Sequence, residues 1–133
     1  MSKITEKYLY EGIARLCKEK EIDDTTIVYD GDTFDVFVST WHDSFSKETV
    51  RLRGVDTKEL YGENHKDAVT QTNFTKKWLD SKEENSPYHY PFIVRNYGED
   101  SFGRIIADII DRKSDNILNE DILNEFENVK YKE

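Results

Sequence analysis

The stretch TTIVYDGDTFDVFV, residues 25–38, decides the fold. Phe34, Val36 and Val38 alternate with Asp35 and Phe37, which gives a strand one apolar face and one mixed face. Asp30-Gly31 is the dipeptide expected at a tight hairpin turn. The stretch therefore predicts strands on either side of DGDT (30–33). ETVRLRGV (48–55) is again rich in β-branched residues and predicts a third strand, with STWHDSFSK (39–47) as a hairpin loop between. YPFIVRNYG (90–98) and GRIIADII (103–110) predict two more, joined by GEDSFG (98–103).

The helical periods lie outside these runs. Leu9, Ile13 and Leu16 recur at spacings of four and three, which predicts a helix over 4–18, broken by the acidic EIDD (21–24). Ala68, Thr72, Thr75 and Leu79 form one row over 64–82, with Phe74 and Trp78 beside it. That helix ends at EENSP, where Ser86 precedes Pro87 and is pushed out of the α region. A turn, DRKSDN (111–116), leads to a last helix carrying Leu118, Ile122 and Phe126. The expected fold is α+β and mainly β: a five-stranded OB-like barrel with three packed helices. Residues 1–133 form a single domain in this reading, and 1–22 are an N-terminal helical extension that pads the barrel.

Composition narrows the function classes. The 133 residues are enough for one real core. A formal charge of −9, from 19 Lys and Arg against 28 Asp and Glu, argues against a binder that grips nucleic acid by bulk electrostatics. Two Trp, eight Tyr and seven Phe are too many for a disordered acidic segment. The one cysteine, Cys17, rules out an internal disulfide, and no Cys/His metal spacing occurs. The N-terminus lacks an apolar leader and no run reaches transmembrane length. The expectation is a cytoplasmic monomer with no membrane partner, secretion being the alternative if a leader has been removed.

Two clusters carry candidate chemistry. DGDT does not continue as an EF-hand, because Phe34 and Trp41 stand where oxygen ligands are needed. In RLRGVDTKE (51–59), Arg51, Arg53 and Val55 share one strand face, and Asp56 and Glu59 follow the strand end. Asp32 and Asp56 are hard oxygen ligands suited to Ca²⁺ or Mg²⁺. Glu59 could deprotonate a water, and Arg51 offers a planar fork to two phosphoryl oxygens. Arg104, in FGR (102–104), supplies a second guanidinium. A metal, a base and two cations are what in-line attack on a phosphodiester requires. Arg53 reads as an exposed partner of nearby carboxylates, or as a third phosphate contact. His42, His65 and His89 are scattered surface residues.

In order and spacing, DGDT, RLRGVDTKE, a helix, FGRIIADI and LNEDIL resemble the thermonuclease family, the staphylococcal nuclease-like domain, over residues 25–127. The resemblance implies a calcium-dependent nuclease that cleaves DNA and RNA and leaves 3′-phosphates. It implies Asp32 and Asp56 as carboxylate ligands of the metal, with Thr57 adding its backbone carbonyl. Glu59 corresponds to the proposed general base, and Arg51 and Arg104 to the phosphate-clamping arginines. Phe102 and Tyr131 correspond to aromatic residues at the nucleotide site. Three features depart from the family. Lys58 replaces its proline, Ser101-Phe102 replaces its Lys-Tyr, and the shorter LYGENHKD (60–67) replaces its lysine-rich loop. The expected partner is DNA or RNA in single-stranded or open regions, with Ca²⁺, Mg²⁺ or another divalent ion as cofactor. The alternative is a non-catalytic OB-like module that binds nucleic acid or protein.

Overall fold

The computed structural model describes residues 8–19, 25–39, 44–60 and 65–131. Its elements are β1 (Tyr10–Leu16), β2 (Lys18–Glu19), β3 (Thr25–Thr26), β4 (Val28–Asp30), β5 (Thr33–Ser39) and β6 (Phe45–Leu52), followed by α1 (His65–Glu84), β7 (Phe92–Glu99), β8 (Ile105–Asp111) and α2 (Leu118–Glu125). Five strands close a mixed barrel in the order β1-β7-β8-β6-β5, and β5 returns to β1. β4 lies outside, paired to β5, while β2 and β3 form a separate ribbon. β6 and β8 are parallel, and the other barrel neighbours are antiparallel. This is the OB-like barrel expected from the alternating strands, with α1 inserted between β6 and β7.

The predicted inward face of β5 is the observed one. Phe34, Val36 and Val38 join Val50, Leu52, Phe92, Val94, Ala107 and Ile109 in one core. Phe34 and Phe92 are fully buried, and each such side chain contributes roughly 1.5–3 kcal/mol of transfer free energy. Trp78 of α1 stacks on Phe92 with ring centroids 6.2 Å apart, and its indole N–H donates to Asp121 Oδ2 of α2 at 2.7 Å. Both helices are thus tied to the barrel and to each other. Among the described residues, no helix is long and apolar enough to cross a membrane.

The helix expected over 4–18 is not formed where the structure describes it. Residues 10–16 are β1, the strand that closes the barrel by pairing with both β5 and β7, and residues 4–7 lie outside the described residues. The segment is part of the barrel wall, so it is neither helical nor padding, and two helices rather than three are found among the described residues. The spacing misled because two of the three inward positions of β1, Gly12 and Ala14, are small, which leaves Leu16 as its one large inward side chain. Ala14 is fully buried, and a Cβ added to Gly12 would lie 2.9 Å from Val38 Cγ1. Leu9, counted into the helical stripe, is exposed. Glu83 of α1 caps this strand, accepting the Leu16 N–H at 3.2 Å and pairing with Lys18 at 3.0 Å. The remaining acidic break (21–24), the tip of the predicted hairpin loop with His42 (40–43) and most of the shortened loop (61–64) lie outside the described residues.

Candidate functional site

Strand register brings the two charged clusters together. Thr33 of β5 pairs with Arg51 of β6, so Asp32, one residue before β5, reaches the arginine one residue before the end of β6. Leu52 N–H donates to Asp32 O at 2.8 Å and fixes the backbone there. Arg51 Nη1 lies 3.4 Å from Asp32 Oδ2, and Nη2 lies 3.7 Å from Asp56 Oδ1. One guanidinium therefore spans both carboxylates. Nη1 also donates to the carbonyls of Leu52 and Val55, which locks the fork in place. Asp32 is itself held: Oδ1 accepts the Thr33 hydroxyl at 2.8 Å and Oδ2 accepts the Thr57 N–H at 3.0 Å. Asp56 is the exposed member of the pair.

Helix α1 anchors both acidic loops from behind. Thr75 Oγ1 donates to Gly31 O, and Gln71 Oε1 accepts the Lys58 N–H at 2.8 Å. Gln71 and Thr75 are buried. Lys58 stands where the resembled family has proline, and a proline there could not make this bond because it lacks the N–H. The turn holding Glu59 is thus fixed by a hydrogen bond instead of a ring. Gly31 is required by close approach: an added Cβ would lie 2.8 Å from Thr57 Cγ2 and 3.1 Å from Gln71 O.

Glu59 is exposed, and its charge joins the group through Asp30. Burial raises the Asp30 carboxyl above its ordinary range. The Leu60 N–H opposes this, the charges of Asp32 and Glu59 add to it, and Arg104 offsets part of it. Glu59 and Arg104 therefore act on the same carboxylate. Arg104 is oriented by Asp100, whose Oδ2 receives Nε at 2.6 Å and whose Oδ1 receives the N–H groups of Arg104 (3.0 Å) and Phe102 (2.9 Å). Burial works to raise the Asp100 carboxyl, but these donors and the guanidinium hold it below the usual carboxylate range.

Arg51 and Arg104 line one cleft of about 640 Å³, which Phe102 and Tyr131 also line. Phe102 is 81% exposed and sits beside the Arg104 guanidinium at 5.3 Å, while Tyr131 sits 5.8 Å from that of Arg51. Arg53 pairs with Asp108 through Nε at 3.4 Å and stays about half exposed. His65 Nδ1 contacts only its own helix entry, the Leu60 carbonyl at 2.6 Å. His89 packs edge-on to Tyr90.

Sequence reasoning missed Asp100, which orients Arg104, and two neutral side chains. Gln71 sits on a helix face dominated by smaller residues, and Asn119 bridges three backbone groups beneath the cleft. Among the described residues, no group of three or more His, Cys, Asp or Glu could hold a metal ion. The acidic set at the site is the pair Asp32 and Asp56, with the Thr57 carbonyl adjacent in the chain. Thr57 is buried, and its hydroxyl has no hydrogen-bond partner among the described residues. No protein-family model and no curated protein matches the chain.

Proposed function

We propose that this chain is a divalent-cation-dependent nuclease of the thermonuclease type, hydrolysing phosphodiester bonds of DNA or RNA and leaving 3′-phosphates. The observation that carries the reading is Arg51, held between Asp32 and Asp56 while lining the same cleft as Arg104. Two arginines on one cleft beside two carboxylates suit a pentacoordinate phosphorane, whose equatorial oxygens gain charge as it forms. Their orientation is set in advance by Asp100 on one side and by backbone carbonyls on the other.

The donor set fits a hard cation. Asp32 keeps free lone pairs after accepting one hydrogen bond on each oxygen, with Arg51 Nη1 facing Oδ2, and Asp56 is open to solvent. Two carboxylates with carbonyl oxygen and water suit Ca²⁺ or Mg²⁺, whereas zinc would want nitrogen or sulfur. Such an ion would be held by Asp32, Asp56 and the Thr57 carbonyl and would supply Lewis-acid polarisation of the phosphoryl oxygen. Glu59 takes the proton of the attacking water as the P–O5′ bond breaks, and the departing 5′ oxygen takes a proton from solvent. Arg51 and Arg104 donate to the non-bridging oxygens, and the exposed Phe102 and Tyr131 rings stack flanking bases.

The test is digestion of single-stranded DNA and RNA with Ca²⁺, with Mg²⁺ and with chelator. Cleavage that needs a divalent ion and yields 3′-phosphate ends is expected. Glu59→Gln should slow cleavage while retaining metal affinity, and Arg104→Lys should cost about 10²–10³ in turnover, the scale of a lost oxyanion donor. One observation favours the second reading, a non-catalytic binding module: Glu59 reaches the group by charge alone and stands exposed. A pure protein that binds a strand but degrades none with any divalent ion would establish that module and end the nuclease reading.

A further inference from the structure

The chain carries 28 acidic residues, yet the lining of the cleft is locally cationic. Arg51, Arg53, Arg104 and Lys130 all border it, and the one carboxylate among its lining residues, Asp100, is already occupied by Arg104. Arg51 and Arg104 have been given the scissile phosphate. Arg53 and Lys130 have no part in that chemistry.

Arg53 is built as a presented donor. Its guanidinium lies over the Tyr97 ring at 4.0 Å, and its Nε lies 3.4 Å from Asp108 Oδ1. Tyr97 O–H donates to the other oxygen of the same carboxylate at 2.9 Å. The stack and the ion pair fix the plane of the group but engage only Nε. Nη1 and Nη2 make no hydrogen bond among the described residues, and the side chain is 47% exposed. Lys130 follows on the adjoining strand segment, bridged to Val55 through the backbone. Its ammonium has no ion-pair partner among the described residues, in a chain with a large excess of carboxylates. An arginine with both Nη groups open and a lysine with no ion pair among the described residues, bordering one cleft of an acidic protein, point to an anion supplied from outside.

We infer that Arg53 and Lys130 form a second phosphate subsite, which binds the backbone phosphate neighbouring the scissile one and makes an extended single strand the substrate class. The inference rests on the proposed nuclease reading for the position of the first phosphate. An arginine fork and a lysine point charge are both suited to a phosphodiester oxygen. Two phosphates on one wall, with Phe102 and Tyr131 exposed beside them, match a strand whose backbone follows a charged groove while its bases stack on rings.

The experiment is a fluorescence-anisotropy titration of a labelled oligothymidylate octamer in chelator, over a salt series, so that binding is read without hydrolysis. Each phosphate contact contributes about 0.7 to the slope of log affinity against log salt on a single strand. Lys130→Ala and Arg53→Gln should each lower the slope by about that amount, and the double variant by about twice it. Lys130→Arg should retain it. Affinity should fall several-fold more for the octamer than for a dinucleoside monophosphate, which offers one phosphate. Lys113→Ala, in the turn at the far end of β8 from Arg104, controls for total charge and should leave the slope unchanged. Slopes equal to wild type in both cleft variants would overturn the subsite, as would a wild-type protein that does not bind the strand. Cleavage by wild type with unaltered slopes would sink the subsite and spare the nuclease reading. Lowered slopes without cleavage in any divalent ion would do the reverse.

Discussion

Replacing Asn119 with alanine should remove more stability than any single loss of charge at the cleft. Asn119 is 5% exposed at the start of α2 and uses its whole carboxamide. Oδ1 accepts the Ile109 N–H at 3.2 Å, and Nδ2 donates to Arg53 O at 2.8 Å and Ala107 O at 3.1 Å. Ala107 O keeps a second partner, the Arg53 N–H at 2.9 Å. Alanine would therefore strand the buried Ile109 N–H and the partly buried Arg53 carbonyl. At about 1–3 kcal/mol for each buried group left unpaired, the loss lies between about 2 and 6 kcal/mol. Water entering the vacated space would recover part, so about 3 kcal/mol is expected. For a domain of this size that corresponds to a fall in Tm of roughly 10 °C. Urea denaturation followed by far-UV circular dichroism measures it. Asn119→Asp separates the roles of the two ends of the amide. The carboxylate keeps the Ile109 bond but faces two carbonyls, so it should be at least as unstable as alanine at neutral pH and recover on acidification, when a protonated carboxyl can donate. An alanine variant within about 1 kcal/mol of wild type would refute the reasoning, because the stranded groups would then have found other partners at no cost.

Other expectations follow from the same bonds. Asp100→Asn should free Arg104 and reduce turnover by up to about 10²-fold, the scale of a small misplacement of a reacting group, with substrate affinity falling less. Because the Asp100 carboxyl is held below the ordinary value of 3.8, its contribution to stability is present above that value and lost as pH falls through the lowered one. Acid-unfolding curves of wild type and Asp100→Asn should therefore converge at low pH, and curves that stay parallel would count against it. Gly31→Ala should cost about 1–3 kcal/mol as overpacking against Thr57 and Gln71. Thr57→Ser, which deletes the clashing Cγ2, should restore much of that loss in a double-mutant cycle. Cys17 is buried, and burial, then the Asp35 charge, pushes its thiol up to about 11. It should resist a disulfide reagent at pH 8 except through unfolding. Its stabilising contribution is complete below the free thiol's 9.0 and lost as pH climbs toward 11, so Cys17→Ala should flatten the alkaline limb of stability.

How much of this was legible in the sequence depended on what each side chain contributes to a pattern. β5, β7 and β8 were readable because their inward positions carry Phe, Val and Ile, whose bulk makes the period of two visible. β1 was not, because two of its three inward positions are Gly12 and Ala14, which carry little hydrophobic signal, and Leu16 alone makes no period. Small residues are needed there: Gly12 meets Val38 and the Ser39 backbone across the β1–β5 seam. The strand that closes the barrel was therefore the one hidden from a hydrophobic count, and its helix-favouring residues gave a false period that non-local pairing overrode.

The candidate site divides along a different line. Its charged members could be named from the sequence because phosphoryl chemistry needs charge, and charge is rare enough in such combinations to be noticed. What joins them is register, Thr33 against Arg51 and β8 parallel to β6, and register is a property of distant segments. Arg104 is held by a charged partner, Asp100, but the backbone that carries the other members is held by neutral side chains. Gln71, Thr75 and Asn119 bond to backbone, so no complementary charge elsewhere in the chain advertises them. Lys58 shows the consequence. Judged by its side chain, it is a loss of the proline that would preset the Glu59 turn. Judged by its backbone N–H, which Gln71 accepts, it is the means by which α1 holds that turn. A motif comparison weighs side chains, whereas the position of Glu59 here depends on a backbone donor that proline would have removed.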